Sequence, residues 1–149
     1  MALILATLVA ASFGYGQAPS PQFTQSTDSQ FVGVWRGQLD GLPAVVLNLT
    51  DESGKLSGAA LFYFHERKTV HDPYTSTPGL PEPLFKLSVS GQTLRFEISH
   101  KRAHPPGSLK DAPVQFRLTV TGPDRAELVR EAGGKETAST PVAMVRGRY

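Results

Sequence analysis

The chain has no cysteine, so it can form no disulfide and offers neither a thiolate metal ligand nor a cysteine nucleophile. It also has little excess charge: 15 basic and 13 acidic residues leave a net charge of +2, which gives no indication of nucleic-acid binding. A G-x-S-x-G nucleophile elbow and a glycine-rich phosphate-binding loop are both missing. These absences favour a non-catalytic protein without a cofactor, whose stability comes from its apolar core alone.

The N-terminal residues have the pattern of an export signal. Residues 2–13 form one apolar run, which is shorter than the roughly 20 residues that a membrane-spanning helix needs. The small residues Gly14 and Gly16 follow, and we expect cleavage before Gln17 and a secreted or periplasmic protein without stable membrane insertion. Residues 1–16 are therefore predicted to be a signal peptide, residues 17–30 a flexible polar leader, and residues 31–149 one folded domain.

From Phe31 onward, apolar residues recur at every second position, the period of a strand with one buried face. Eight such segments occur, and no long segment has helical periodicity. They predict an all-β fold, an eight-stranded antiparallel up-and-down barrel whose closure removes exposed sheet edges. The residues predicted to face inward are Phe31, Gly33, Trp35, Gly37, Leu39; Val45, Leu47, Leu49; Leu56, Gly58, Ala60, Phe62, Phe64; Phe85, Leu87, Val89; Leu94, Phe96, Ile98; Val114, Phe116, Leu118, Val120; Ala126, Leu128; and Val142, Met144.

The connections between these segments divide into two groups by length. If successive strands alternate in direction, the tight turns at 51–54, 90–92 and 122–124 share one end, which we call the lower end. The long connections at 65–83, 101–112 and 132–139 then share the opposite, upper end, where the only short turn is at 40–43. Binding residues usually lie on loops held by a rigid scaffold, so we expect a site at the upper end.

The first and last strands carry a recognisable combination of residues. The first strand opens with Gly33-Val34-Trp35, and Arg146 follows Met144 on the inward-facing side of the last strand. This pattern resembles that of the calycins (lipocalins, fatty-acid-binding proteins and avidins), and the run GVWRGQLDGLP resembles small secreted bacterial domains of lipocalin-like type. The resemblance implies a lipocalin-like barrel in which the guanidinium of Arg146, or alternatively Arg148, stacks on the Trp35 indole at the lower end.

The predicted interior is almost entirely apolar, with His100 as its one polar group near the upper end. A buried polar group without a partner costs about 1–3 kcal/mol, so a polar ligand deep inside such a barrel is not expected. An eight-stranded barrel is just wide enough either to be filled by side chains or to hold one small ligand. Two interpretations of the interior therefore stay open: a packed core, or a pocket for a small apolar ligand.

Aromatic and histidine side chains gather in the connections at the upper end. The spacing of the four histidines matches no established zinc motif, so no metal site is predicted. If the protein binds a small apolar ligand, we expect the mouth of the site to be formed by Phe64, His65, His71, Tyr74, His100 and His104.

The outward faces of the eighth, first, second and third predicted strands supply an alternative function. In a closed barrel these strands are neighbours, and their outward side chains would form one apolar patch. The patch would contain Val32, Val34, Val46, Leu61, Tyr63 and Val145. Such a surface predicts a homodimer or the docking of an envelope protein on a packed barrel.

Overall fold

The computed structural model describes residues 27–99, 113–131 and 138–147. The described part is an all-β fold preceded by a single 3-10 helix, Thr27–Phe31. Its ten strands are β1 (Gly33–Leu39), β2 (Leu42–Glu52), β3 (Lys55–Glu66), β4 (Thr75–Pro78), β5 (Glu82–Pro83), β6 (Phe85–Ser90), β7 (Thr93–Ile98), β8 (Val114–Gly122), β9 (Arg125–Arg130) and β10 (Val142–Arg146).

The strands form one antiparallel sheet in the order β4-β3-β2-β1-β10-β9-β8-β7-β6, with β5 paired to β3. The sheet is curled, because side chains from distant strands meet on its inner side. The ring of Phe62 on β3 lies 5.4 Å from that of Phe116 on β8, although four strands separate β3 from β8 in the sheet order. The architecture is that of a curled half-barrel sheet, and the lower-end turns connect its strands as expected.

The count of eight strands is not confirmed. All eight predicted segments are strands, but the predicted connection 65–83 contains two more, β4 and β5, both paired with β3. The amide of Leu84 then donates to the carbonyl of Gly58 over 3.0 Å, and the chain passes directly into β6, which pairs with β7. The segment from 75 to 90 therefore contacts both ends of the remaining sheet.

The prediction that Phe85 faces inward is wrong. Leu84 is buried, whereas Phe85 is 47% exposed. Lys86 has a φ of 50°, and the register between β6 and β7 shifts between Phe85 and Ser88, so the alternation of faces restarts within this strand. Leu39 is also exposed, and a similar register shift between Gly37 and Gln38 precedes it.

The core lies on the inner side of the sheet. Its fully buried large side chains are Trp35, Phe31, Phe96, Leu47, Leu49, Leu94, Ile98, Leu118 and Met144. Among the described residues, no polar or charged residue is buried. No helix in this part of the chain is long and apolar enough to cross a membrane.

Candidate functional site at the upper end

The lower end is closed by a contact between the 3-10 helix and the sheet. Trp35 and Arg146 are cross-strand partners, and the guanidinium carbon of Arg146 lies 4.4 Å from the centre of the Trp35 ring. The indole Nε1 donates to the carbonyl of Phe31 over 2.8 Å, and Arg146 Nη2 donates to the carbonyl of Gln30. The two residues thus meet at the end where the sequence places them, and together they hold the last turn of the helix.

Gly33 and Gln30 complete this closure. A Cβ at Gly33, whose φ is 129°, would lie 3.4 Å from Cγ and Cδ of Arg146, so this glycine leaves the arginine stem room beside the strand. Gln30 Nε2 donates to the carbonyl of Gly91 in the turn between β6 and β7 over 2.7 Å. Gln30, in the segment that the sequence assigns to the leader, thus contacts the sheet at its lower end, and the rest of the predicted leader, residues 17–26, lies outside the described residues.

A line of phenylalanines leads from the core to the upper end. The rings of Phe96 and Phe116 are nearly parallel, with centres 5.7 Å apart, and Phe116 in turn contacts Phe62. Phe64 follows two residues later on the same face of β3, and its ring lies against Gly79, where a Cβ would come within 3.0 Å of Phe64 Cε2. The Gly79 amide donates to the Phe62 carbonyl over 2.8 Å, which fixes the glycine opposite this part of the strand.

Exposure rises along this line. Phe96 is 2% exposed and Phe116 is buried, whereas Phe62 is half-buried and Phe64 is 46% exposed. The other half-buried members of the core include Val114 and Val142, each at the upper end of its strand. On β3 the inner side is therefore packed below and presents apolar side chains to solvent above, whereas Ile98 at the upper end of β7 is fully buried.

Of the predicted mouth residues, Phe64 lies on the inner side of the sheet, but His65 does not. His65 is the next residue on β3 and so projects to the opposite face. Its ring Nε2 donates to the carbonyl of Pro43 over 2.8 Å, and the hydroxyl of Ser76 donates to the same oxygen. His65 thus ties the β3–β4 hairpin to the start of β2.

His71 and Tyr74 are exposed in the connection between β3 and β4. The guanidinium of Arg67 lies 4.9 Å from the centre of the Tyr74 ring and donates to the carbonyl of Val70. The carboxylate of Asp72 accepts from the Thr69 amide. His100 and His104 lie outside the described residues, and within those residues no three histidine or acidic side chains gather as a metal site.

The sequence did not single out Phe62, Phe116 and Gly79 as site residues. Phe62 and Phe116 were predicted to face inward, but strand alternation gives no information on which inward residues meet across the interior. Gly79 was indistinguishable from an ordinary turn glycine, and only the position of the Phe64 ring gives it a role.

The strand glycines do not create a cavity. A Cβ at Gly37 would lie 2.5 Å from Met144 Sδ, 2.7 Å from Val142 Cγ1 and 2.9 Å from Val45 Cγ1, so neighbouring side chains already occupy the space. At Gly58 the obstacle is the backbone carbonyl oxygen of Asn48, 2.2 Å from the Cβ position. Both glycines serve close packing rather than ligand space.

The outer faces of the two halves of the sheet differ. On β6 to β9 the outer face carries ion pairs, Lys86–Glu97 at 3.0 Å and Arg95–Glu131 at 3.2 Å. On β10, β1, β2 and β3 it is mainly apolar, but Arg36 stands between Val145 and Val46 in the same row. Val145 is 58% exposed, whereas the other patch residues, Val32, Val34, Val46, Leu61 and Tyr63, are half-buried.

Comparisons with protein-family models, with curated proteins and with solved structures find no match to this chain. The lipocalin-like resemblance therefore stays a prediction from the sequence, and the function is argued from the geometry alone.

Proposed function

We propose that this protein is a non-catalytic, lipocalin-like barrel that binds a small apolar ligand at its upper end. The observation that carries the proposal is the rise in exposure along the inner side of β3 toward the upper end. Apolar side chains are fully covered near Trp35 but reach solvent at Phe62 and Phe64. Because exposed apolar surface is unfavourable in water, covering it with an apolar ligand stabilises the complex.

Closure of the sheet into a barrel is part of this proposal. The segment from Glu82 to Ser90 pairs first with β3 and then with β7, which are near the two ends of the sheet order. The Leu84–Gly58 hydrogen bond joins the two pairings. A barrel closed by this one shared segment would give the ligand a surrounding wall.

The chemistry of the inner side supports an apolar ligand over a polar one. No polar or charged residue of the described part is buried as a whole, and the inward-facing polar groups of Trp35 and Arg146 lie at the lower end, where they bond to the carbonyls of Phe31 and Gln30. A ligand's polar group would have to remain at the upper rim, in contact with water. Export is proposed with this function, on the signal-like residues 1–16, which lie outside the described residues.

The test is a titration with Nile red, a neutral dye whose emission increases in apolar surroundings. Phe64 and Phe85 form a matched pair, because they are 46% and 47% exposed but lie on opposite faces of the sheet. Burial of a phenylalanine contributes about 1.5–3 kcal/mol, so Phe64→Lys should weaken dye binding at least about tenfold. Phe85→Lys should bind as the wild type does.

Two outcomes would contradict the proposal. One is wild-type protein that fails to bind the dye, and the other is equal binding by the Phe64→Lys and Phe85→Lys variants. Circular dichroism of each variant checks that the sheet is retained, so that a loss of binding is not a loss of folding.

A further inference from the structure

The geometry points to a preference of the upper-end site for flat aromatic ligands over alkyl chains, and we propose Phe64, supported by Gly79, as its stacking surface. This inference rests on the proposed function and specifies the class of ligand. The preference depends on the arrangement of four phenylalanines and one glycine.

The inner side already contains aromatic rings in succession. Phe96, Phe116 and Phe62 contact one another at centre-to-centre distances of 5.7 and 5.4 Å, within the range of favourable ring pairs. The first pair is nearly parallel, at 13°, and the second is tilted by 31°. A planar ligand beside Phe62 would extend this succession by one further ring.

Phe64 provides the outer surface of such a site. Its ring is 46% exposed and lies against Gly79, which stands opposite Phe62 through the amide–carbonyl bond. A Cβ at position 79 would lie 3.0 Å from Phe64 Cε2 and 3.0 Å from the Phe62 carbonyl oxygen, so a larger residue crowds both, and the side-chain ring can shift more easily than the backbone. Gly79 is therefore a positioning residue for the ring rather than a ligand contact.

Two polar side chains of the hairpin near Phe64 in the sequence already have partners. The guanidinium of Arg67 lies over the Tyr74 ring and donates to the carbonyl of Val70. His65 is held by Pro43 on the outer face. The affinity for an aromatic ligand then depends on contact between its ring and the Phe64 ring, which stabilises the complex beyond the burial of apolar surface.

The experiment compares 2-naphthalenemethanol with decahydro-2-naphthalenemethanol by calorimetry. The two alcohols have the same carbon skeleton and polar group, but only the first is aromatic, and the saturated compound is the more hydrophobic. Ring contact should raise the affinity of the aromatic alcohol about two- to twelvefold beyond what its burial gives, and this gain should leave the wild type binding the aromatic alcohol more tightly than the saturated one. Simple hydrophobic burial predicts the reverse order.

Two variants test whether Phe64 and Gly79 cause the preference for the aromatic alcohol. Phe64→Leu keeps the site apolar and should abolish the preference while leaving the saturated alcohol bound. Gly79→Ala should reduce it by displacing the Phe64 ring, and thermal melts of both variants check folding.

Equal or tighter binding of the saturated alcohol to the wild type overturns this inference and leaves the proposed function standing. Binding of neither alcohol overturns both, and an unchanged preference in Phe64→Leu overturns the assignment of the stacking surface.

Discussion

At the residue scale, Trp35 and Arg146 show how two side chains can close one end of a curled sheet. The indole is fully buried and donates to Phe31, while the guanidinium covers its ring and donates to Gln30. The contact joins β1, β10 and the 3-10 helix, so it links the chain before the first strand to the last one. A lysine could supply the charge but not the planar stacking surface.

This contact gives a stability prediction. Arg146→Met should lower the free energy of unfolding by about 1–3 kcal/mol, because it removes a cation–π contact and leaves the Gln30 carbonyl without its donor. Trp35 is the only tryptophan, so its emission should also shift in the folded variant. Urea denaturation followed by fluorescence measures both effects.

The matched control is Arg125→Met, since Arg125 is exposed at the start of β9. If the two variants unfold at the same urea concentration with the wild-type emission maximum, the proposed closure of the lower end contributes nothing to stability.

At the scale of the strands, alternation in the sequence was sufficient to predict the long β-segments and most inward-facing residues. It succeeded for β2, β7 and β8 because each of these strands keeps its alternation through the core. It failed at Phe85, where the left-handed backbone of Lys86 resets the faces. Lysine rarely adopts that conformation, so no composition rule marks this position.

The short strands β4 and β5 were missed for a related reason. They contain Pro78 and Pro83, residues that disfavour central strands, and they pair only with β3. Contacts across the interior, such as Phe62 with Phe116, depend on how the sheet curls, and local periodicity carries no information about that curvature. The sequence thus predicts at which end of the molecule the candidate site lies, but it does not predict how the aromatic rings are arranged there.

The outer face of β10, β1, β2 and β3 gives the second functional proposal, an interface between two copies of the chain. The sharpest test uses Val145, the most exposed patch residue, in the row that also contains Arg36. If this face forms a dimer, sedimentation should give twice the chain mass for the wild type. Val145→Lys should be monomeric, because an unpaired charge in an apolar interface is unfavourable.

Val70→Lys is the control for this experiment, since Val70 is 70% exposed on a connection away from the patch. A wild type that sediments as a monomer at all concentrations would rule out the dimer.

At the scale of the whole molecule, the two ends of the sheet have different roles. The lower end is closed by the 3-10 helix and the Trp35–Arg146 contact, and the core above it is fully covered. The upper end presents half-buried and exposed apolar side chains, with a rim held by the hydrogen bonds of His65 and Ser76 to Pro43. Rigid packing below and incomplete covering above would together provide a stable support for a ligand.

The central claim is that the apolar ligand binds at the upper end, and an NMR titration of the ¹⁵N-labelled protein with 2-naphthalenemethanol tests it most directly. The amide signals of Phe62, Phe64 and Gly79 should shift with ligand concentration. The Trp35 indole N–H, bonded to Phe31 at the opposite end, should not move. Shifts centred on Trp35 and Arg146, or no shifts at all, would contradict the account.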